Sequence, residues 1–283
     1  MSYQEYRPSG FSLLPPVVKN LLIINGIFFL ATLVFQFKFN IDLSDILGLH
    51  YFGSEKFRPY QIITYMFMHG GISHILFNMF ALWMFGNTLE NYWGGKRFLI
   101  FYIVCGLGAA ITHYAIFYFQ IQPVLETLSA YLSKPDVSNF ENIFQPLLLK
   151  VNAHPSAELN ELINQYNSIT GLDHASEKLQ ASIDLATRFR IDFLNEPVII
   201  GASGAVYGLL LAFGMTFPNS MIYMYFLFPM KAKYFVLFYG AIEFFDAVNQ
   251  TSGDNVAHYA HLGGMLFGFI LILIWRKSRT DFY

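Results

Sequence analysis

The sequence predicts an all-α membrane protein: a bundle of six transmembrane helices with a polar, helical extracytoplasmic insertion between the third and fourth. Three observations carry that expectation. The 283-residue chain is 55% hydrophobic and only 13% charged, with a mean hydropathy of +0.42. Soluble domains carry about a quarter charged residues, so roughly half the usual polar coat is missing. Six runs, near 17–37, 73–92, 97–119, 199–217, 234–249 and 257–275, approach the ~20 apolar residues that a ~30 Å hydrocarbon core requires. Between the third and fourth runs, residues 120–195 turn polar, with more acidic than basic side chains.

Lys and Arg orient the runs, because short cytoplasmic loops retain positive charge. Lys96 and Arg97 follow the second run, Lys231 and Lys233 the fourth, and Arg276, Lys277 and Arg279 the sixth, while Arg7 and Lys19 precede the first. All four clusters share one side when both termini are cytoplasmic. Residues 1–16 are polar, lack a basic n-region and contain Glu5, which reads as neither a secretory signal nor a transit peptide. With no seventh span in the sequence, a bacterial inner (plasma) membrane is the expected location. The net charge of −2 gives no reason to expect nucleic acid, and the single Cys105 excludes an intrachain disulfide.

The expected organisation is a membrane core at 1–119 and 196–283, with an insertion at 120–195. Inside the insertion, Ser156 follows Pro155 and precedes Glu158 and Glu161, a helix-start pattern. Asp173 to Phe193 carries apolar residues at helical spacing, which predicts a second amphipathic helix. The loop at 38–72, with Gly53, Pro59, Gly70 and Gly71, is expected to lie partly in the membrane interface.

The informative residues are polar ones inside apolar runs, which are costly unless paired and mark function by default. His74 and Asn78 open the second run, Ser203 the fourth and His261 the sixth. All three runs enter from the extracytoplasmic face, so four residues distant in sequence converge at one shallow depth, since a helix advances only ~1.5 Å per residue. His74 and Asn78, four apart, share a helix face. A serine hydroxyl becomes a nucleophile when a histidine accepts its proton, and acyl transfer needs fixed donors for the oxyanion. Ser203 and His261 fit the first requirement. The His74 ring, the Asn78 amide and the Ser203 backbone N–H fit the second. No carboxylate is expected at His261, so a two-residue dyad is anticipated, with Tyr207 packing on the imidazole.

Glycines supply the mechanical part. Gly204 with Gly208, and Gly264 with Gly268, form small-xxx-small faces that let membrane helices approach closely. Gly201 and Ala202 leave room for a substrate backbone beside Ser203.

Taken together and in order, His74-Ile-Leu-Phe-Asn78, Gly201-Ala-Ser-Gly204 with Tyr207, and Ala260-His-Leu-Gly-Gly264 with Gly268 resemble the rhomboid family of intramembrane serine proteases, bacterial type. Glu90 and Gly94, in Leu89-Glu-Asn-Tyr-Trp-Gly94, also resemble a family signature. The resemblance covers 1–119 and 196–283. It implies a six-span rhomboid bundle with Ser203 as nucleophile, His261 as general base, and His74 and Asn78 as oxyanion donors. It further implies substrates that are single-span proteins in the lipid bilayer, cut in or near the spanning segment, and no cofactor. Two departures stand out. Tyr60-Gln61 occupies the place where many relatives carry Trp-Arg, and the 120–195 insertion is long, a place for partner or substrate docking.

Competing readings are weaker. His258 and His261 form an HxxH pair near His69 and His74, but the membrane zinc-protease pattern HExxH is absent, so no metal is expected. His258 is expected to line the water-accessible mouth and to be the fallback base. Glu243 and Asp246 are read as hydrated surface or a loop contact, and Glu90 as a structural group bonding backbone near the cytoplasmic edge. The alternative class is a catalytically silent rhomboid-like binder that escorts membrane clients, which has no need for all four polar residues. A transporter lacks support, because midplane charges and half-symmetry are missing. Residues 234–256 are expected to tilt and admit substrate laterally.

Overall fold

Helices dominate the computed structural model, which describes residues 12–150, 156–170, 172–196, 198–224, 228–249 and 258–280. Glu5, Arg7, Pro155 and residues 250–256 of the segment expected to tilt fall outside the described residues. The first apolar run forms α1 (Pro16–Phe39). Proline in its first turn sacrifices no helical hydrogen bond, and Asn40 ends the helix in a left-handed conformation (φ 53°). Then come α2 (Leu43–Leu47), β1 (Leu49–His50), α3 (Gln61–Thr64) and α4 (Ile72–Trp93).

A break at Gly94 (φ 81°) separates α4 from α5 (Gly95–Ser133), which is 39 residues long and continues through Pro123. The change from apolar to polar sequence near residue 120 therefore does not end the helix. Helices α6 (Val137–Lys150), α7 (Ala157–Ser168) and α8 (Ala175–Asn195) follow, then β2 (Val198–Ile199) and α9 (Ser203–Thr216). The run expected at 199–217 thus begins as a strand, because β2 pairs antiparallel with β1. A hairpin of β3 (Met221–Met224) and β4 (Phe228–Lys231) leads to α10 (Ala232–Val248) and α11 (His258–Thr280). Among the described residues, α1, α5 and the His258–Arg276 part of α11 are long and apolar enough to cross a membrane, and α9 is a shorter apolar helix.

Two cores form. The larger joins Leu82, Phe85 and Leu89 of α4, Phe98, Phe101, Tyr102 and Cys105 of α5, and Leu209 and Ala212 of α9. Outside it, α1, α4, α10 and α11 expose Ile27, Leu30, Phe77, Leu237, Phe244 and Ile274. Large apolar side chains exposed on four helices suit a lipid-facing surface better than a watery one. The smaller core lies under α6, α7 and α8, where Phe140, Phe144, Leu159, Leu185 and Phe189 pack onto Leu128 and Tyr131 from the far end of α5. Ser156 caps α7 by accepting the Leu159 N–H at 3.1 Å. Asp136 precedes α6 and accepts the Ser138 N–H at 2.9 Å and its hydroxyl at 2.7 Å, bonds that hold its carboxyl below the ordinary range.

Buried polar side chains pin the loops and helix ends. Glu90 accepts the N–H groups of Val17 and Val18 at 2.9 and 2.8 Å, so it serves the start of α1, where a negative charge also meets the favourable end of the helix dipole. Gln61, fully buried, donates to the carbonyls of Ile46 and Lys56 at 3.1 Å and accepts the Arg58 N–H at 3.0 Å and the His50 N–H at 3.4 Å. The residue that departs from the common loop motif thus stitches the loop from inside. Asn195, closing α8, accepts the Ser54 hydroxyl at 2.6 Å and the Glu55 N–H at 3.1 Å, which ties α8 to the same loop.

Helix α11 packs most extensively on α5 and α9. A Cβ placed on Gly264 would lie 1.8 Å from the Gly204 carbonyl oxygen, and one on Gly208 would lie 3.0 Å from the Gly264 carbonyl. Backbone therefore meets backbone where α9 and α11 cross. Gly204 and Gly268 face Ala109 and Phe101 of α5.

Two stability outcomes follow. Gly264→Ala must part the helices and is expected to cost about 1–3 kcal/mol, read as a lower thermal unfolding midpoint in detergent. Gly26→Ala, where a Cβ meets nothing within 4 Å, should not lower it. Gln61→Ala orphans buried backbone groups at roughly 1–3 kcal/mol. It should lower the midpoint by several degrees, whereas Gln36→Ala, on an exposed pair, should leave it unchanged.

Candidate active site

The site is assembled at the starts of α9 and α11. Ser203 is the first residue of α9. Its approach requires Gly201, whose φ of 125° strains any residue with a Cβ, and whose N–H donates to the Tyr65 carbonyl at 2.9 Å. His261 lies in the first turn of α11. Its Nε2 is 2.8 Å from Ser203 Oγ, and only 7% of the residue is exposed. The Tyr207 ring, one turn along α9, stacks on the imidazole at 4.3 Å between centroids and 13° between planes.

The sequence reading supplied no carboxylate at His261, and the structure corrects it. Glu243 of α10 is 6% exposed and is not hydrated surface. Its Oε2 lies 2.8 Å from His261 Nδ1 and 2.7 Å from His258 Nδ1, and its Oε1 accepts the Tyr207 hydroxyl. His258 is buried and bonded to this carboxylate, so it does not line an open mouth. On α10, Ala232, Val236, Glu243 and Ala247 lie on one buried face, while Asp246 is only partly covered.

His74 stands on the other side of the serine. Its Nδ1 accepts the Gly70 N–H at 3.3 Å, which leaves the proton on Nε2 and makes that nitrogen a donor. A Cβ on Gly201 would lie 2.8 Å from His74 Nε2 and 3.6 Å from Ser203 Oγ, so the two atoms flank one glycine. His69 packs edge-on to His74 at 5.0 Å. Asn78 is nearly buried, and its Nδ2 donates to the His74 carbonyl at 3.1 Å, which commits one of its two N–H groups to its own helix. Gly201, Gly204, Gly264 and Gly268 all sit at close approaches.

Glu243, His258 and His261 form the one potential metal-ligating cluster among the described residues, with ligand atoms within 4.8 Å of one another. Those nitrogens face a shared carboxylate oxygen at hydrogen-bond distance. The arrangement suits proton-sharing: a hydroxyl, an imidazole able to accept its proton, and an anion behind the imidazole.

The chain matches the Rhomboid domain family model over residues 56–120 and 178–278, together more than half its length. It is 34% identical over 55 residues to Rhomboid protease GluP of Bacillus subtilis (strain 168), 19% of this chain and 11% of that protein. It is 41% identical over 59 residues to RHOMBOID-like protein 6, mitochondrial, of Arabidopsis thaliana, 21% of this chain and 18% of that one. It is 33% identical over 85 residues to an uncharacterized mitochondrial rhomboid protein, P4H10.10, of Schizosaccharomyces pombe (strain 972 / ATCC 24843), 28% of this chain and 22% of the other. The matched stretches thus span about a tenth to a fifth of these relatives. With its helical fold, its apolar exterior and a family match over more than half its residues, the chain is a membrane-embedded helical protein that belongs to the rhomboid family.

Proposed function

We propose that this protein is an intramembrane serine endopeptidase that cuts transmembrane-anchored proteins in or near their spanning segment. The observation that carries the reading is the 2.8 Å contact between Ser203 Oγ and His261 Nε2. On this reading Ser203 Oγ attacks the scissile carbonyl carbon while His261 Nε2 takes the hydroxyl proton. The carbonyl oxygen becomes an oxyanion held by His74 Nε2–H, the free N–H of Asn78 and the Ser203 backbone N–H. Collapse of the adduct breaks the C–N bond, and His261 passes its proton to the leaving amine. Water then hydrolyses the acyl-enzyme by the same relay. Attack needs an extended substrate backbone, so substrates with small, helix-weakening residues are favoured.

The same reading takes α1, α4, α5, α9, α10 and α11 as six spans and residues 120–195 as an extracytoplasmic helical unit beside the site. The tether of Asn195 to the 49–55 loop supports a role for that unit in docking or presenting substrate. Lys96, Arg97, Lys231, Lys233 and Arg276 support cytoplasmic termini in a bacterial plasma membrane.

Purified protein in liposomes, given a model single-span substrate and a fluorophosphonate probe, tests this. Wild type should cleave and label at Ser203. Ser203→Ala and His261→Ala should lower cleavage by at least about 10³-fold with an unchanged unfolding midpoint. Substrate bound but never cut by wild type, or labelling that persists unchanged in His261→Ala, would defeat the reading and favour an escort protein.

A further inference from the structure

We infer that Glu243 is a third member of the catalytic unit, a positioning carboxylate that makes Ser203, His261 and Glu243 a triad, clamped by His258 and Tyr207. The inference rests on the protease reading above. It concerns what sets the tautomer and orientation of the base.

An anion taken out of water into an apolar bundle loses several kcal/mol of hydration, so it persists only where donors replace that hydration. Glu243 has three. Its Oε2 receives His261 Nδ1–H at 2.8 Å and His258 Nδ1–H at 2.7 Å, and its Oε1 receives the Tyr207 hydroxyl. Both oxygens are engaged from two other helices, with Tyr207 on α9 and both histidines on α11.

This arrangement has a consequence for His261. A neutral imidazole carries one proton, on either nitrogen, and the bond made by the other ring atom decides which. With Oε2 at Nδ1, the proton stays there and the Nε2 lone pair faces Ser203 Oγ. That is the only tautomer able to take the serine proton. When Nε2 accepts it, the ring becomes a cation with an anion 2.8 Å away. Glu243 gains no proton in this step. The Nδ1–H bond persists while Nε2 shuttles one proton from Ser203 to the leaving amine, so charge and protons balance within the site.

Two neighbours keep the carboxylate in place. Tyr207 fixes the ring twice, by stacking on its face and by holding the oxygen opposite the shared one. His258, three residues before His261, meets it edge-on at 6.2 Å and shares its acceptor. His258 is thereby assigned as a clamp on the carboxylate and not as a reserve base.

Glu243→Gln keeps the shape but gives the ring an amide that can donate to Nδ1, which favours the unproductive tautomer. Cleavage kcat and the rate of fluorophosphonate labelling at Ser203 should fall about 10²–10⁴-fold, with KM little changed. Glu243→Asp, which keeps the charge, should recover part of the rate. Nitrogen-15 NMR of histidine-labelled wild type reads the tautomer without any variant at position 243, with the His261 signals assigned from His261→Gln. Nδ1 protonated and Nε2 bare at rest supports the triad, and the reverse overturns it. Wild-type kcat in Glu243→Gln also overturns it, as does an activity that EDTA abolishes, which would assign the cluster to a metal. Wild type that never labels at Ser203 defeats the protease reading itself, whereas wild type that labels while Glu243→Gln keeps the full rate removes only Glu243.

Discussion

Helices α9 and α11 meet through main chain at Gly204 and Gly264, with no side chain between them. Within lipid no hydrophobic force drives two helices together, so contact depends on close van der Waals approach. Here that approach has chemical consequences, because Ser203 precedes Gly204 by one residue and His261 precedes Gly264 by three. Added bulk at the crossing would part the helices that carry Ser203 and His261. Helix α5 seals the back of the crossing, where Cys105 and Ala109 face Gly208 and Gly204. The Ser203–His261 contact is therefore a by-product of how near two backbones can come.

A second constraint runs through the molecule. Buried polar groups are expensive in an apolar setting, and the ones that matter here are fully engaged. Glu90 holds two N–H groups at the start of α1, Gln61 satisfies four backbone groups in the loop, and Glu243 holds two imidazoles and a phenol. Glu90 and Glu243 each join separate helices, while Gln61 gathers one loop. In a bundle whose apolar contacts are interchangeable, such groups fix which helix faces which, and with what rotation.

Much of this was legible in the residues. Polar side chains inside apolar runs singled out Ser203, His261, His74 and Asn78, and glycine spacing marked the crossing of α9 and α11. The serine start of α7 and the amphipathic period of α8 could also be read directly. Helix α6 has no counterpart among the sequence expectations, although Phe140, Phe144 and Leu147 have helical spacing; Pro146 inside it is a residue that ordinarily weakens that signal. The length of α5 was misjudged because a change from apolar to polar surface alters the solvent a helix faces, not its backbone hydrogen bonding. Glu243 was misjudged for a different reason. Whether a carboxylate on α10 points inward depends on the rotation of that helix against α9 and α11, which local spacing does not determine until the partner faces are known.

At about 1.5 Å per residue, the 39 residues of α5 make a rod of roughly 58 Å, close to twice the ~30 Å oily layer. One end is wedged among the helices that carry the serine and histidine, and the other is the floor on which α6, α7 and α8 are built. The α6–α8 unit is thus carried on the same helix, which stays helical through Pro123, and not on a loose string. A pull on that end is passed along one unbroken segment to Cys105 and Ala109, which back Gly208 and Gly204 beside Ser203 and His261.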